Sequence, residues 1–119
     1  MTRRAELDRL FPLIEAEYRA KQGSLAELKR QEEELVQRLR DLSGRHARAE
    51  EGGTVDPARL AGADLRWQAW AESRRTEINQ RIARLRVDQE WAKADLRRSF
   101  GRRNAIDELC KAARKTRPS

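Results

Sequence analysis

The chain has 119 residues, a mass of 13.9 kDa and a formal net charge of +7, with 39% charged residues against 38% apolar ones. That is room for one domain, and six aromatic residues do not supply the dense core a small globule needs. Membrane spans, a secretory leader and disulfide frameworks are excluded as expectations: there is no apolar run near the roughly 20 residues that cross a bilayer, no apolar stretch after Met1-Thr2-Arg3-Arg4-Ala5-Glu6, and a single cysteine, Cys110.

Ala, Arg, Glu, Leu, Lys and Gln dominate and β-branched residues are scarce, a composition of long helices or a coiled coil. In the first half, large apolar residues step by threes and fours: Leu7, Phe11, Ile14, Tyr18, Leu25, Leu28, Leu35, Leu39, Leu42 and Ala49. Written as a heptad, a falls at 11, 18, 25, 32, 39 and 46, and d at 7, 14, 21, 28, 35, 42 and 49. Lys21, Glu32 and His46 interrupt that seam. A stripe this narrow needs a partner helix to receive its knobs. Helix one is therefore expected over about 4–50. Pro12 fits a first turn but not a helix interior, so residues 2–10 are expected as a separate turn or a kinked lead-in to Phe11.

The strong break is Gly52-Gly53-Thr54-Val55-Asp56-Pro57, where paired glycines end a helix and Asp56 caps the next. A turn is expected at about 51–57 and helix two over about 58–113, with Gly62 and Asp64 marking a possible second start. A basic tail follows at 114–119. The stripe returns in Trp67, Ala71, Ile78, Ile82, Leu85, Gln89, Ala92, Leu96, Ile106 and Cys110.

Two amphipathic helices joined by a short turn fold back on each other. The expected fold class is all-α: two long helices in an antiparallel coiled-coil hairpin, with helix one roughly 60–70 Å long at about 1.5 Å per residue. Pairing outward from the turn places Leu42 against Trp67, Leu39 against Ala71, Leu28 against Ile82, Leu25 against Leu85 and Ile14 against Leu96. Lys21 then faces Asp88 and Gln89 as a buried cation that fixes register, and Lys21→Leu should loosen it. In that register helix one runs out opposite residues near 103, and the basic segment beyond overhangs.

No catalytic, cofactor-binding or metal-ligating set can be assembled. His46 is the only histidine, so it reads as structural or solvated rather than as a ligand or base. Cys110 lies on the stripe as a small packing residue, the alternative being a thiol made reactive by Lys111. A helical hairpin offers no enclosing cavity for a small-molecule substrate. The chain reads as non-enzymatic, with no cofactor.

The charge is lopsided. Residues 1–51 carry eleven Lys and Arg against eleven Asp and Glu, whereas residues 97–119 carry eight against two and so hold +6 of the +7. Arg97, Arg98, Arg102, Arg103, Arg114 and Lys115, with Phe100 and Ile106 between them, read either as a solvated face or as a surface for an acidic partner. Trp67 lies on the stripe, and Trp70 and Trp91 sit on its shoulder. Trp70 and Trp91 each precede a seam alanine, Ala71 and Ala92, and read either as cover over narrow layers or as partner-binding anchors. Stacking on bases is a third reading, given Arg66, Arg74 and Arg75.

An antiparallel coiled coil with a basic C-terminal helix, ending in Ser99-Phe100-Gly101-Arg102-Arg103-Asn104-Ala105-Ile106-Asp107-Glu108-Leu109, resembles the FliJ/YscO family of flagellar and type III secretion export stalks. The resemblance covers nearly the whole chain in architecture and a short motif in sequence. It implies a non-enzymatic stalk whose paired termini enter the pore of a hexameric export ATPase, and which couples that ATPase to an export-gate protein. It further implies a cytoplasmic location, peripheral at the inner face of a membrane-embedded export apparatus. The partner-binding residues would be Arg97, Arg98, Phe100, Arg102, Arg103, Arg114 and Lys115 at the ATPase, and Trp67, Trp70 and Trp91 along the shaft. The alternative is a basic coiled coil that binds nucleic acid through phosphate contacts, or one that presents an acidic tip of Glu50, Glu51 and Asp56 to a polymerase.

Overall fold

The computed structural model of the chain describes residues 3–51 and 57–115. They form two α-helices, α1 (Arg3–Glu51, 49 residues) and α2 (Pro57–Lys115, 59 residues), packed against each other. Among the described residues there is no strand, and the fold class is an all-α antiparallel hairpin. The diglycine turn, the Asp56 cap and the tail residues 116–119 lie outside the described residues, as do the side chains of His46, Glu50 and Glu51.

Both expected interruptions are absent. α1 runs unbroken through Pro12, so residues 3–10 belong to the same helix and are not a separate turn. Proline removes one backbone donor at a cost of about 3 kcal/mol, but Pro12 and Asp8 are both exposed, so water reaches the Asp8 carbonyl that loses its partner. Burial of Leu7 on the seam holds the first turns in place. α2 likewise begins at Pro57, where a missing N–H is harmless, and continues through Gly62 without a second start.

The helix pair divides into two compact units, one of residues 3–28 with 88–115 and one of residues 29–51 with 57–87. In the first, Leu7, Leu25, Cys110, Gln89 and Ser99 are buried. In the second, the buried residues are Leu35, Leu42, Ala71 and Ile82. Every described position of the expected seam is buried or half-buried, because only a stripe with a 3.5-residue repeat stays against a partner over this length.

The register differs from the expected one by a heptad. In the first unit Lys21 approaches Asp95, at 3.8 Å, rather than Asp88, and Tyr18 meets the Phe100 ring at 5.8 Å. Arg103 donates to Glu15, Arg102 donates to Glu17 at 3.0 Å, and the Gln89 amide reaches the Leu28 carbonyl at 3.5 Å. In the second unit Arg86 donates to Glu32 at 3.0 Å. A slip of seven residues returns every a and d position to an equivalent one, so apolar matching tolerates both registers. Opposite charges decide between them, since the expected pairing would set Glu15 near Asp95.

Two expectations fall with that register. Lys21 is not a buried cation: its side chain is 40% exposed, and the long stem lies on the seam while the ammonium reaches solvent. Nor does the basic segment overhang. About two turns beyond Glu15 and Arg103, Leu7 comes alongside Cys110, and both are buried, at 8% and 7% exposure. Residues 104–115 therefore run beside the first turns of α1.

Candidate protein-binding surface

The basic residues of the first unit separate into two sets. Arg103 stands on the α2 stripe seven residues after Leu96, half-buried, which forces its guanidinium to turn aside and find an acid. Its Nε bonds Glu15, and the same guanidinium lies 5.4 Å from the centre of the Tyr18 ring. The hydrogen bond from Arg103 holds the Glu15 carboxyl below its ordinary value of 4.5 and raises the Arg103 guanidinium. Arg102 is tied across the helix pair to Glu17. These two arginines, expected as partner-binding residues, thus close α1 onto α2.

The second set faces water. Arg97, Arg98, Arg114 and Lys115 are exposed, and of them only Arg98 has an acidic partner among the described residues, Asp95 in the preceding turn at 3.0 Å. Arg114 and Lys115 occupy the last turn of α2, where cations complement the helix dipole. Phe100 is partly exposed and leans on Tyr18, so its ring has a packing role as well as a free edge. Lys111 is engaged by Asp107 at 3.2 Å and Glu108 at 3.9 Å, beside the buried Cys110.

Each tryptophan has its own environment. Trp91, in the first unit, is 68% exposed and so does not cover the Ala92 layer. In the second unit Trp67 is half-buried and meets Trp70 at 6.4 Å between ring centres. Trp70 is 47% exposed, and the Arg74 guanidinium lies 6.0 Å from its ring centre. Together with Ile78 of α2 and Arg38, Asp41, Leu42 and Arg45 of α1, Trp70 and Arg74 line an open groove of about 160 Å³.

Neither Ser99 as a seam residue, nor the inter-helix role of Arg103, nor the groove was evident in the sequence. Heptad stepping carried past Leu96 lands on 99 and 103, but a search for apolar residues passes over a serine and an arginine there. The groove draws on both helices, so it exists only in the observed register. No family model, curated protein or solved structure matches the chain.

Proposed function

We propose that this chain is a non-enzymatic coiled-coil stalk of a protein-export machine, which binds a hexameric export ATPase and couples it to the export gate. The observation that carries the reading is the division among the arginines of the first unit. Arg102 and Arg103 hold the helices together, while Arg97, Arg98, Arg114 and Lys115 are exposed to solvent, which supports a role in meeting an acidic partner. The paired N-terminal and C-terminal segments would enter the ATPase pore together, as the FliJ/YscO resemblance implies, with no lone spike required. Exposed Trp70 and Trp91 would supply contacts to the gate. On this reading the protein works in the cytoplasm at the inner face of the export apparatus; no helix among the described residues is long and apolar enough to cross a membrane.

The test is ATP hydrolysis by a purified flagellar export ATPase, with and without the chain. The parent should raise the rate, and the variant Arg97→Gln, Arg98→Gln, Arg114→Gln, Lys115→Gln should not. Absence of both stimulation and co-sedimentation with the parent chain would overturn the reading. Retention on duplex DNA that falls steeply with salt would favour the nucleic-acid alternative.

A further inference from the structure

We propose that the groove between α1 and α2 in the second unit is a docking site for a short acidic peptide segment with one large apolar side chain. Its lining combines the apolar Leu42, Ile78 and Trp70 with three arginines, Arg38, Arg45 and Arg74, against one acid, Asp41. Arg74 is already shared with Glu77 at 3.2 Å. Arg38 and Arg45 have no acidic partner among the described residues. They stand seven residues apart, about 10 Å along the helix, so two guanidinium forks are available for carboxylates at either end of one bound side chain. The volume suits a single anchoring side chain, and Trp70 is the kind of half-exposed aromatic on which such anchors seat.

The same geometry disfavours a nucleic acid. Asp41 lines the groove and would repel a phosphate. One to two turns before Arg38 stand Glu32, Glu33 and Glu34, so a polyphosphate strand running along α1 would leave the cations and meet acids. The Trp70 ring is approached by Arg74 and Trp67, which leaves less of it for base stacking. A carboxylate peptide shares the repulsion by Asp41, which the three arginines outnumber, but a short one ends before the glutamates and needs no stacking on the Trp70 ring.

This inference takes up the tryptophan contact of the export reading but is measured without any ATPase, so either can fail alone. The probe is a short synthetic peptide of Asp and Glu around one central Leu. Its binding is followed by the indole N–H resonances, with Trp70 identified by loss of its signal in Trp70→Phe. A saturable movement of the Trp70 resonance is expected, weakened at least about tenfold by Arg38→Glu with Arg45→Glu and weakened again when the peptide Leu becomes Ser. Helical circular dichroism checks that the variant is folded, and Arg38→Gln with Arg45→Gln replaces it if it is not. The proposal is overturned if the peptide produces no saturable shift at millimolar concentration, if the arginine variants bind as the parent does, or if a thymidine oligonucleotide of equal charge moves Trp70 at lower concentration.

Discussion

At the scale of single residues, Ser99 shows how the seam is filled. This serine lies on the α2 stripe next to Phe100, whose ring meets Tyr18 at 5.8 Å, a small residue beside two large ones, which is how layers of unequal size interdigitate. Ser99 is 1% exposed and its hydroxyl finds no hydrogen-bond partner among the described residues. A buried unsatisfied hydroxyl costs about 1–3 kcal/mol. Ser99→Ala keeps the small volume and removes that cost, so it should raise stability by about 1 kcal/mol in urea denaturation, while Ser99→Leu should lower it by crowding the seam. Gly23 and Gly101 tell a similar story on the outer surface. Both sit inside helices with negative φ, and an added Cβ would meet nothing within 4 Å. Alanine at either should add about 0.5–1 kcal/mol. Glu15 differs in being sensitive to pH. Because Arg103 depresses its carboxyl, the pair's contribution is fully present above the ordinary carboxylate range and is lost as pH falls through the lowered value. The gap in melting temperature between parent and Glu15→Gln should therefore be clear at neutral pH and close in strong acid.

At the scale of the helices, the stripe was legible in the sequence and the register was not. Leu7, Leu25, Leu35 and Leu42 fall on a and d positions of the heptad, and all four are buried. Burial follows from periodicity, since any partner must cover that face. Leu35→Ala should accordingly cost about 2–4 kcal/mol. Register depends instead on a few polar contacts whose strength scales with details absent from a hydropathy pattern: Glu15 with Arg103, Glu17 with Arg102, Glu32 with Arg86. Each exposed pair is worth at most about 1 kcal/mol, yet several acting together choose between two alignments that are otherwise matched. Lys21, which the pattern marked as the register lock, has its nearest acid oxygen at 3.8 Å and remains 40% exposed. Lys21→Leu should leave the register intact. The alignment itself can be trapped covalently. Leu7→Cys should oxidise to an intramolecular disulfide with the native Cys110, because the register set by Glu15 with Arg103 brings these two buried positions to the same level of the helix pair. The pair Leu7→Cys with Arg103→Cys, in a Cys110→Ser background, should stay reduced; efficient closure of that second pair would restore the expected alignment.

At the scale of the molecule, a net charge of +7 on a helix pair stabilised by narrow layers poses a problem of self-repulsion. Placement of the charges relieves it. Acids and bases alternate along the helices as short-range pairs such as Arg75–Glu72, Arg81–Glu77 and Lys93–Glu90, which leaves the surplus on residues that support no packing. Among these, Arg97, Arg114 and Lys115 have no acidic partner among the described residues, and Arg98 has only the neighbouring Asp95. Cations kept without an intramolecular role are those free to meet another surface, so binding and folding should be separable by mutation. Replacing all four by Gln lowers the formal charge from +7 to +3. Relief of repulsion and loss of the dipole contact at Arg114 and Lys115, about 0.3–1 kcal/mol each, act in opposite directions. The quadruple variant should therefore unfold within about 1 kcal/mol of the parent. Glu15→Gln with Glu17→Gln removes no cation yet frees Arg102 and Arg103 from α1, and should melt lower than the quadruple variant despite changing half as many residues. A quadruple variant that melts far below the parent would mean that these cations hold the helices together, and the surface assigned to a partner would then belong to the fold.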